Sequence, residues 1–189
     1  MSRIIMLLIC AWGVVAIVGE IQAAKPKKYK KYTITTRNIQ AGKLSREQCL
    51  MRVRAVGLNK DLCGAKLNDA DLSNARLISA DLSEADLRKT MLLNAMMCRA
   101  DLTRANMKGA ILYGADLNSA RLVNADLTGA NLTGANLSNA DLTGANLTKA
   151  ILKNVNLTGA NLMGAVITGI VTNDAVFSGT IMPDGTLHP

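Results

Sequence analysis

A chain of 189 residues with 49% hydrophobic residues is long enough for one domain with a real core, yet only 3% of it is aromatic, with one Trp and one Phe. That composition excludes an interior built around large rings and points to a thin, regular one of Ala and Leu. The net charge of +8 is not evenly spread: Ala24 to Asn59 holds ten Lys/Arg and one acid, whereas Lys60 to Pro189 holds eleven Lys/Arg and twelve acids, so the basicity belongs to one short segment.

The first element covers residues 1–23. Arg3 supplies a basic start, an apolar run of 15 residues follows from Ile4 to Val18, and small residues stand at Ala23 and Ala24. That is the layout of a secretory signal peptide, and the run is shorter than the roughly 20 residues of a spanning helix. Cleavage after Ala23 would export the chain to a periplasm, a thylakoid lumen or the extracellular space, with no transmembrane span left in the mature chain. The alternative is a membrane anchor formed by the uncleaved signal. Lys25, Lys27, Lys28, Lys30 and Lys31 follow the apolar run closely and would hold that side in the cytoplasm.

Residues 24–43 are expected to be a basic, flexible arm. Its lysines suit a tether to an anionic surface or partner, or a solvated linker. Nucleic acid is not the expected partner, since no aromatic platform accompanies the charge beyond Tyr29 and Tyr32. Residues 44–59 predict a short capping helix. Ser45 is its N-cap, Gln48 completes a capping box, and Leu44 and Cys49 take the staple positions. Leu50, Met51 and Val53 give it an apolar side, and Gly57 ends it.

From residue 60 to 182 the chain repeats every five residues. Every fifth position from Ala65 to Thr180 gives 24 slots, of which 20 are Ala; two residues later, from Leu67 to Met182, 18 of 24 are Leu. A helix cannot use this period, because five residues at about 100° each advance about 140° net and scatter the apolar positions around the axis. An extended chain can: residues two apart share a face, so Ala and Leu point in and the residue between them points out. The last two residues of each unit must turn the chain. Their second position, from Gly64 to Gly179, holds ten Gly, five Asn and two Asp in 24 slots. These are the residues that tolerate positive φ.

"ADLTG", "ANLTG" and "ANLSN" resemble the pentapeptide-repeat family, with its A(D/N)LXX motif, over about two-thirds of the chain. The resemblance implies an all-β fold, a right-handed quadrilateral β-helix with four repeats per coil. Carried over, it gives about six coils and a rod about 29 Å long at the usual strand spacing. Such a rod has open strand edges at its ends, which need covering. The helix over 44–59 would close one end. At the other, Thr172 puts a hydroxyl in a Leu slot, Phe177 and Met182 would plug the last coil, and residues 183–189 read as a turn and a short tail carrying His188. The resemblance also implies that the C-terminal end can pair with a second copy.

No catalytic constellation, metal-ligand spacing or cofactor motif stands out, so neither an enzyme nor a cofactor is expected. Cys49 in the cap and Cys63 in the first coil either form a disulfide in an exported protein or remain separate thiols. Cys98 should point outward, unpaired. Outward residues twenty apart should stack. One face carries Asp61, Asp81, Asp101, Arg121 and Asp141; the next carries Asp71, Met91, Ile111, Asn131, Ile151 and Val171. Met91, Leu93, Ile111 and Tyr113 then form an outward apolar cluster, a candidate partner-contact face; β-propensity alone is the plainer reading. The leading function is a non-enzymatic, exported scaffold or protein-binding module. The alternative, implied by the resemblance, is a cytoplasmic rod that mimics DNA and occupies a type II topoisomerase.

Overall fold

A computed structural model of the chain describes residues 61–189; the segments 1–23, 24–43 and 44–59 discussed above lie outside the described residues. From residue 61 onward the described chain forms a parallel β-solenoid. Each outward residue bridges the one twenty positions on: Asp61 to Asp81, Lys66 to Asp86, Asp71 to Met91 and Arg76 to Met96 start four ladders that climb as far as Ile181. Five residues make one side of a square and four sides make one coil. The Asp61 and Asp71 ladders, expected on neighbouring faces, lie on opposite ones. Ten residues are half a turn, and the Lys66 ladder stands between them.

The five-residue unit follows from where its five N–H groups go, since each needs an acceptor. In the unit Ala85 to Lys89, Ala85 N–H closes the turn onto Leu82 O at 3.1 Å. Asp86 N–H reaches back to Ala65 O in the preceding coil at 2.9 Å. Leu87 and Lys89 N–H donate forward to Asn106 O and Lys108 O, at 2.7 and 2.9 Å. One N–H is left over, that of Arg88, and the Asp86 carboxylate accepts it at 3.3 Å. The same bond recurs at every Asp or Asn of the outward slot from Asp61 to Asn161. The outward Asp or Asn therefore does more than face solvent: its short side chain reaches the N–H two residues on, as an Asx turn does.

The corner residue has positive φ in every unit, between 51° and 68°. Glycine accepts this freely, and positive φ at the third turn residue is what a type II turn requires. The same angle is imposed on Glu84, Lys89, Arg99, Arg104 and Lys149, whose side chains give no sign of a turn. At such residues the left-handed conformation costs about 1–2 kcal/mol. Arg99→Gly is accordingly expected to stabilise the solenoid by about 0.5–1 kcal/mol, after the extra entropy glycine adds to the unfolded chain. A higher thermal midpoint would show it, and a lowered one would refute it.

Inside the square, Ala and Leu pack as expected, with nearly every inward residue from Leu62 to Ala165 buried. Met97 and Met107 take Leu slots at 0% exposure. Thr90 and Thr180 take Ala slots, also fully buried, and their hydroxyls donate to Leu67 O at 2.9 Å and Leu157 O at 2.7 Å. A hydroxyl is tolerated there because a carbonyl of the preceding coil lies within reach.

Past Ala165 the interior opens. Ile167, Ile170, Thr172, Ala175 and Phe177 are only half-buried, because among the described residues no further coil covers them. Phe177 still packs on the core, and Met182 is half-buried. Residues 183–189 turn at Gly185, with φ 83°, and fold back so that Leu187 bridges Ile181 in antiparallel sense. His188, expected in a frayed tail, is held on both sides of its peptide. Its N–H donates to Thr180 O at 2.8 Å, its carbonyl accepts from Gly179 N–H at 2.9 Å, and its ring lies 5.6 Å from that of Phe177.

Candidate functional site

The outward slots are mostly Asp or Asn, so a run of aliphatic residues there is a local departure with a defined place. The Asp71 ladder passes through Met91, Ile111, Asn131 and Ile151 to Val171. Met91 is 39% exposed, Ile111 37% and Tyr113 52%; Leu93 is half-buried. All four members of the expected cluster thus sit on two adjacent coils. Met96 and Ile78, both also exposed, belong to the neighbouring Arg76 side. Neither is among the four expected from the sequence. The signal was present, since Met96 also interrupts an outward slot and Ile78 follows an inward Leu.

The departure changes the backbone as well as the surface. Met91 and Ile111 have no side-chain oxygen. The N–H groups of Leu93 and Tyr113 therefore lack the local acceptor that Ser73 and Thr133 find in Asp71 and Asn131, at 3.0 and 3.1 Å. The face combines exposed apolar side chains with main-chain donors that their own unit supplies with no side-chain acceptor.

Several charged residues elsewhere form ion pairs. Arg88 pairs with Asp86 at 2.6 Å within one unit. Lys108 reaches Asp126 at 3.0 Å, Arg104 reaches Glu84 at 3.7 Å and Arg121 reaches Asp101 at 3.9 Å, each between successive coils. Arg121 also breaks the Asp61–Asp81–Asp101 ladder, so that face carries no continuous acidic stripe.

These contacts set the acid response. The Arg88 side chain holds the Asp86 carboxyl below its ordinary 3.8. At Asp126, burial raises the pKa but is outweighed by hydrogen bonds from Thr128 and Lys108, so the net direction is again down. Depressed carboxylate pKa values stabilise the fold fully above the unfolded value, and that contribution is lost as pH falls through the folded one. Thermal midpoints are expected to hold from pH 7 to about 5 and to fall below about 4. A flat profile down to pH 2 would contradict this.

Cys63 carries a free, half-buried thiol, and Cys49 lies outside the described residues. Cys98 is also free and half-buried. It lies close to its expected outward position, but its thiol donates to Asp116 Oδ2 at 2.8 Å. Burial, then that bond, push the thiol pKa up, which disfavours the reactive thiolate. Among the described residues no group of His, Cys, Asp and Glu is placed to hold a metal ion. No described helix is long and apolar enough to cross a membrane. The basic arm, Lys25, Lys27, Lys28, Lys30 and Lys31, lies outside the described residues.

A family model described as pentapeptide repeats matches the chain in eight copies, over residues 61–92, 80–118, 120–159 and 130–169. The chain belongs to the pentapeptide-repeat family. HetL, a pentapeptide repeat protein involved in heterocyst differentiation regulation from the cyanobacterium Nostoc sp. strain PCC 7120, is 29% identical, over 69% of this chain and 88% of that one, with a TM-score of 0.40. A pentapeptide repeat protein of the Arabidopsis thaliana thylakoid lumen is 30% identical, over 70% and 72%, with a TM-score of 0.32. QnrB1, a plasmid-mediated fluoroquinolone resistance protein, is 21% identical, over 60% and 72%, with a TM-score of 0.38. No curated protein matches the chain. Within the matched pentapeptide repeats, Met91 and Ile111 replace the Asp or Asn that completes the unit's own hydrogen bonding.

Proposed function

We propose that this pentapeptide-repeat protein is a non-enzymatic, exported scaffold that binds a protein partner through the face of Met91, Leu93, Ile111 and Tyr113. In this reading the signal peptide is removed after Ala23. About six right-handed coils form the rod, the helix over residues 44–59 closes its first end, and the lysines of the arm tether it to an anionic surface. The observation that carries the reading is the exposed apolar cluster on two adjacent coils, in outward slots that mostly hold Asp or Asn. Exposed apolar clusters mark contact sites. The N–H groups of Leu93 and Tyr113, which lack a side-chain acceptor in their own unit, suit a partner that presents carbonyl or carboxylate acceptors beside apolar side chains.

Two substitutions test the face without threatening the fold. Met91→Asn and Ile111→Asn restore the motif and return an acceptor to Leu93 and Tyr113 N–H. The double variant is expected to keep or raise the thermal midpoint, while a partner recovered with the wild-type protein from the exported fraction is lost. Retention of the partner by the variant would sink the assignment. Sequencing of the native N-terminus is expected to begin at Ala24; an intact start in a membrane fraction would favour the uncleaved anchor.

The rival reading, a cytoplasmic DNA mimic on a type II topoisomerase, calls for a strongly negative rod. The near balance of charge from Lys60 to Pro189 and the Arg121 interruption weigh against it. Inhibition of topoisomerase supercoiling by the purified protein would revive it. A second copy meeting the C-terminal end remains a further partner in the proposal.

A further inference from the structure

The last coil breaks the pattern on every side. Its outward slots are Val166, Val171, Val176 and Ile181, where earlier coils mix in Asp and Asn. Val166, Val176 and Met163 are about half exposed, at 46%, 49% and 50%. Ile170 and Phe177, which point inward, are only half-buried. The strand edge is open too. In earlier coils the Leu-slot and corner N–H groups donate forward, as Leu147 does to Val166 O and Lys149 to Thr168 O. The corresponding N–H groups of Ile167, Gly169, Thr172 and Asp174, and the carbonyls of Ala165, Ile170 and Ala175, have no next coil to meet among the described residues.

One side is different, because the chain's own tail covers it. Met182 N–H donates to Thr186 O at 2.7 Å, Gly179 N–H to His188 O at 2.9 Å, and His188 N–H to Thr180 O at 2.8 Å. Those partners are the groups a further coil would use. Two more main-chain bonds, Gly164 N–H to Pro183 O and Gly185 N–H to Met182 O, both at 2.9 Å, complete the hold, with one ring contact at 5.6 Å and a turn secured by Asp184 Oδ1, which accepts from Thr186 N–H and its hydroxyl at 3.0 and 2.6 Å. Leu187 faces solvent at 68% exposure.

We propose that the hairpin of residues 183–189 is an autoinhibitory strap. It occupies the strand edge on the Ile181 side and thereby keeps a second copy from adding to the end of the rod; displacing it exposes all four edges and the valine collar together. A single antiparallel strand can serve only one side, as the tail does, because the chain turns a corner every five residues. A rung with the same five-residue period can serve all four, and a second copy carries one. The proposal rests on the reading of the C-terminal end as a contact surface for a copy of this chain.

The test compares full chains by sedimentation across a concentration series: wild type, a variant ending at Met182, and Asp184→Ala, which keeps every residue but loosens the turn. Removal of the tail is expected to strengthen self-association at least tenfold, Asp184→Ala to strengthen it less, and Thr172→Pro, which removes an edge N–H on an open side, to reverse the gain. Association that is equally strong with and without the tail, and is still weakened by Thr172→Pro, would overturn the strap and leave the end contact standing. If no form, wild type included, associates at the highest concentration, the strap and the end contact both fall.

Discussion

Leu122→Ala is expected to cost about 2–5 kcal/mol, the range for truncating a fully buried leucine and leaving a cavity. Leu122 is 0% exposed and stands in a stack with Leu102 and Leu142, also 0% exposed, one coil before and one after. The rod has no second layer that could collapse into the gap, because four sides of Ala and Leu are its whole interior. The damage should stay local, since each coil of a solenoid contacts only its neighbours. Hydrogen exchange is expected to lose protection first from about residue 102 to 142, while the coils near Leu72 and Leu162 keep theirs. Uniform loss along the rod would mean that the solenoid unfolds as one cooperative block.

Gly114→Ala is expected to be nearly as damaging, although Gly114 lies at a corner and not in the core. Two penalties add there. Its φ of +64° strains any residue with a Cβ, at about 1–2 kcal/mol. A Cβ would also stand 2.5 Å from Asn94 Oδ1, the corner residue one coil earlier. Gly129 separates the two, since its φ is +65° but nothing lies within 4 Å of the added carbon. Gly129→Ala is therefore expected to cost about 1 kcal/mol and Gly114→Ala about 2–3 kcal/mol. The double change Gly114→Ala with Asn94→Ala should fall back toward the Gly129 value. Equal losses at Gly114 and Gly129 in urea melts would show that the Asn94 side chain simply swings aside. Asn124 over Gly144 and Asn139 over Gly159 repeat the arrangement, so corner pairs twenty apart are coupled.

The candidate face was legible for a simple reason. Once the period is known, each residue's direction is known, and Met91, Ile111 and Tyr113 in outward positions must meet solvent. What escaped was any feature that depends on a neighbour in another coil or on main-chain groups. The Asp86-type side chain looked like a solvated residue until its bond to the N–H two positions on was seen. Wherever an acid or amide fills that slot from Asp61 to Asn161 it is Asp or Asn and never Glu or Gln, and that was the clue, because only a side chain of that length closes the loop. Cys98 looked like an isolated thiol, and its bond to Asp116 joins residues 18 apart. His188 looked like the end of a loose tail; its pairing with Thr180 follows from a turn at Gly185 and an uncovered edge, neither of which has a five-residue period.

The sequence by itself determined the period, the inward Ala and Leu, the outward slot and the corner, because a repeat of five in an extended chain leaves few ways to bury two apolar residues per unit. It also placed the departures from the repeat, and with them the surface worth testing. The tertiary structure decided which ladders stand opposite one another, which corner side chain overhangs which glycine, and how the open end is closed. Those depend on stacking one coil upon the next, where residues about twenty positions apart meet and, among the described residues, the last coil meets beyond it only the tail.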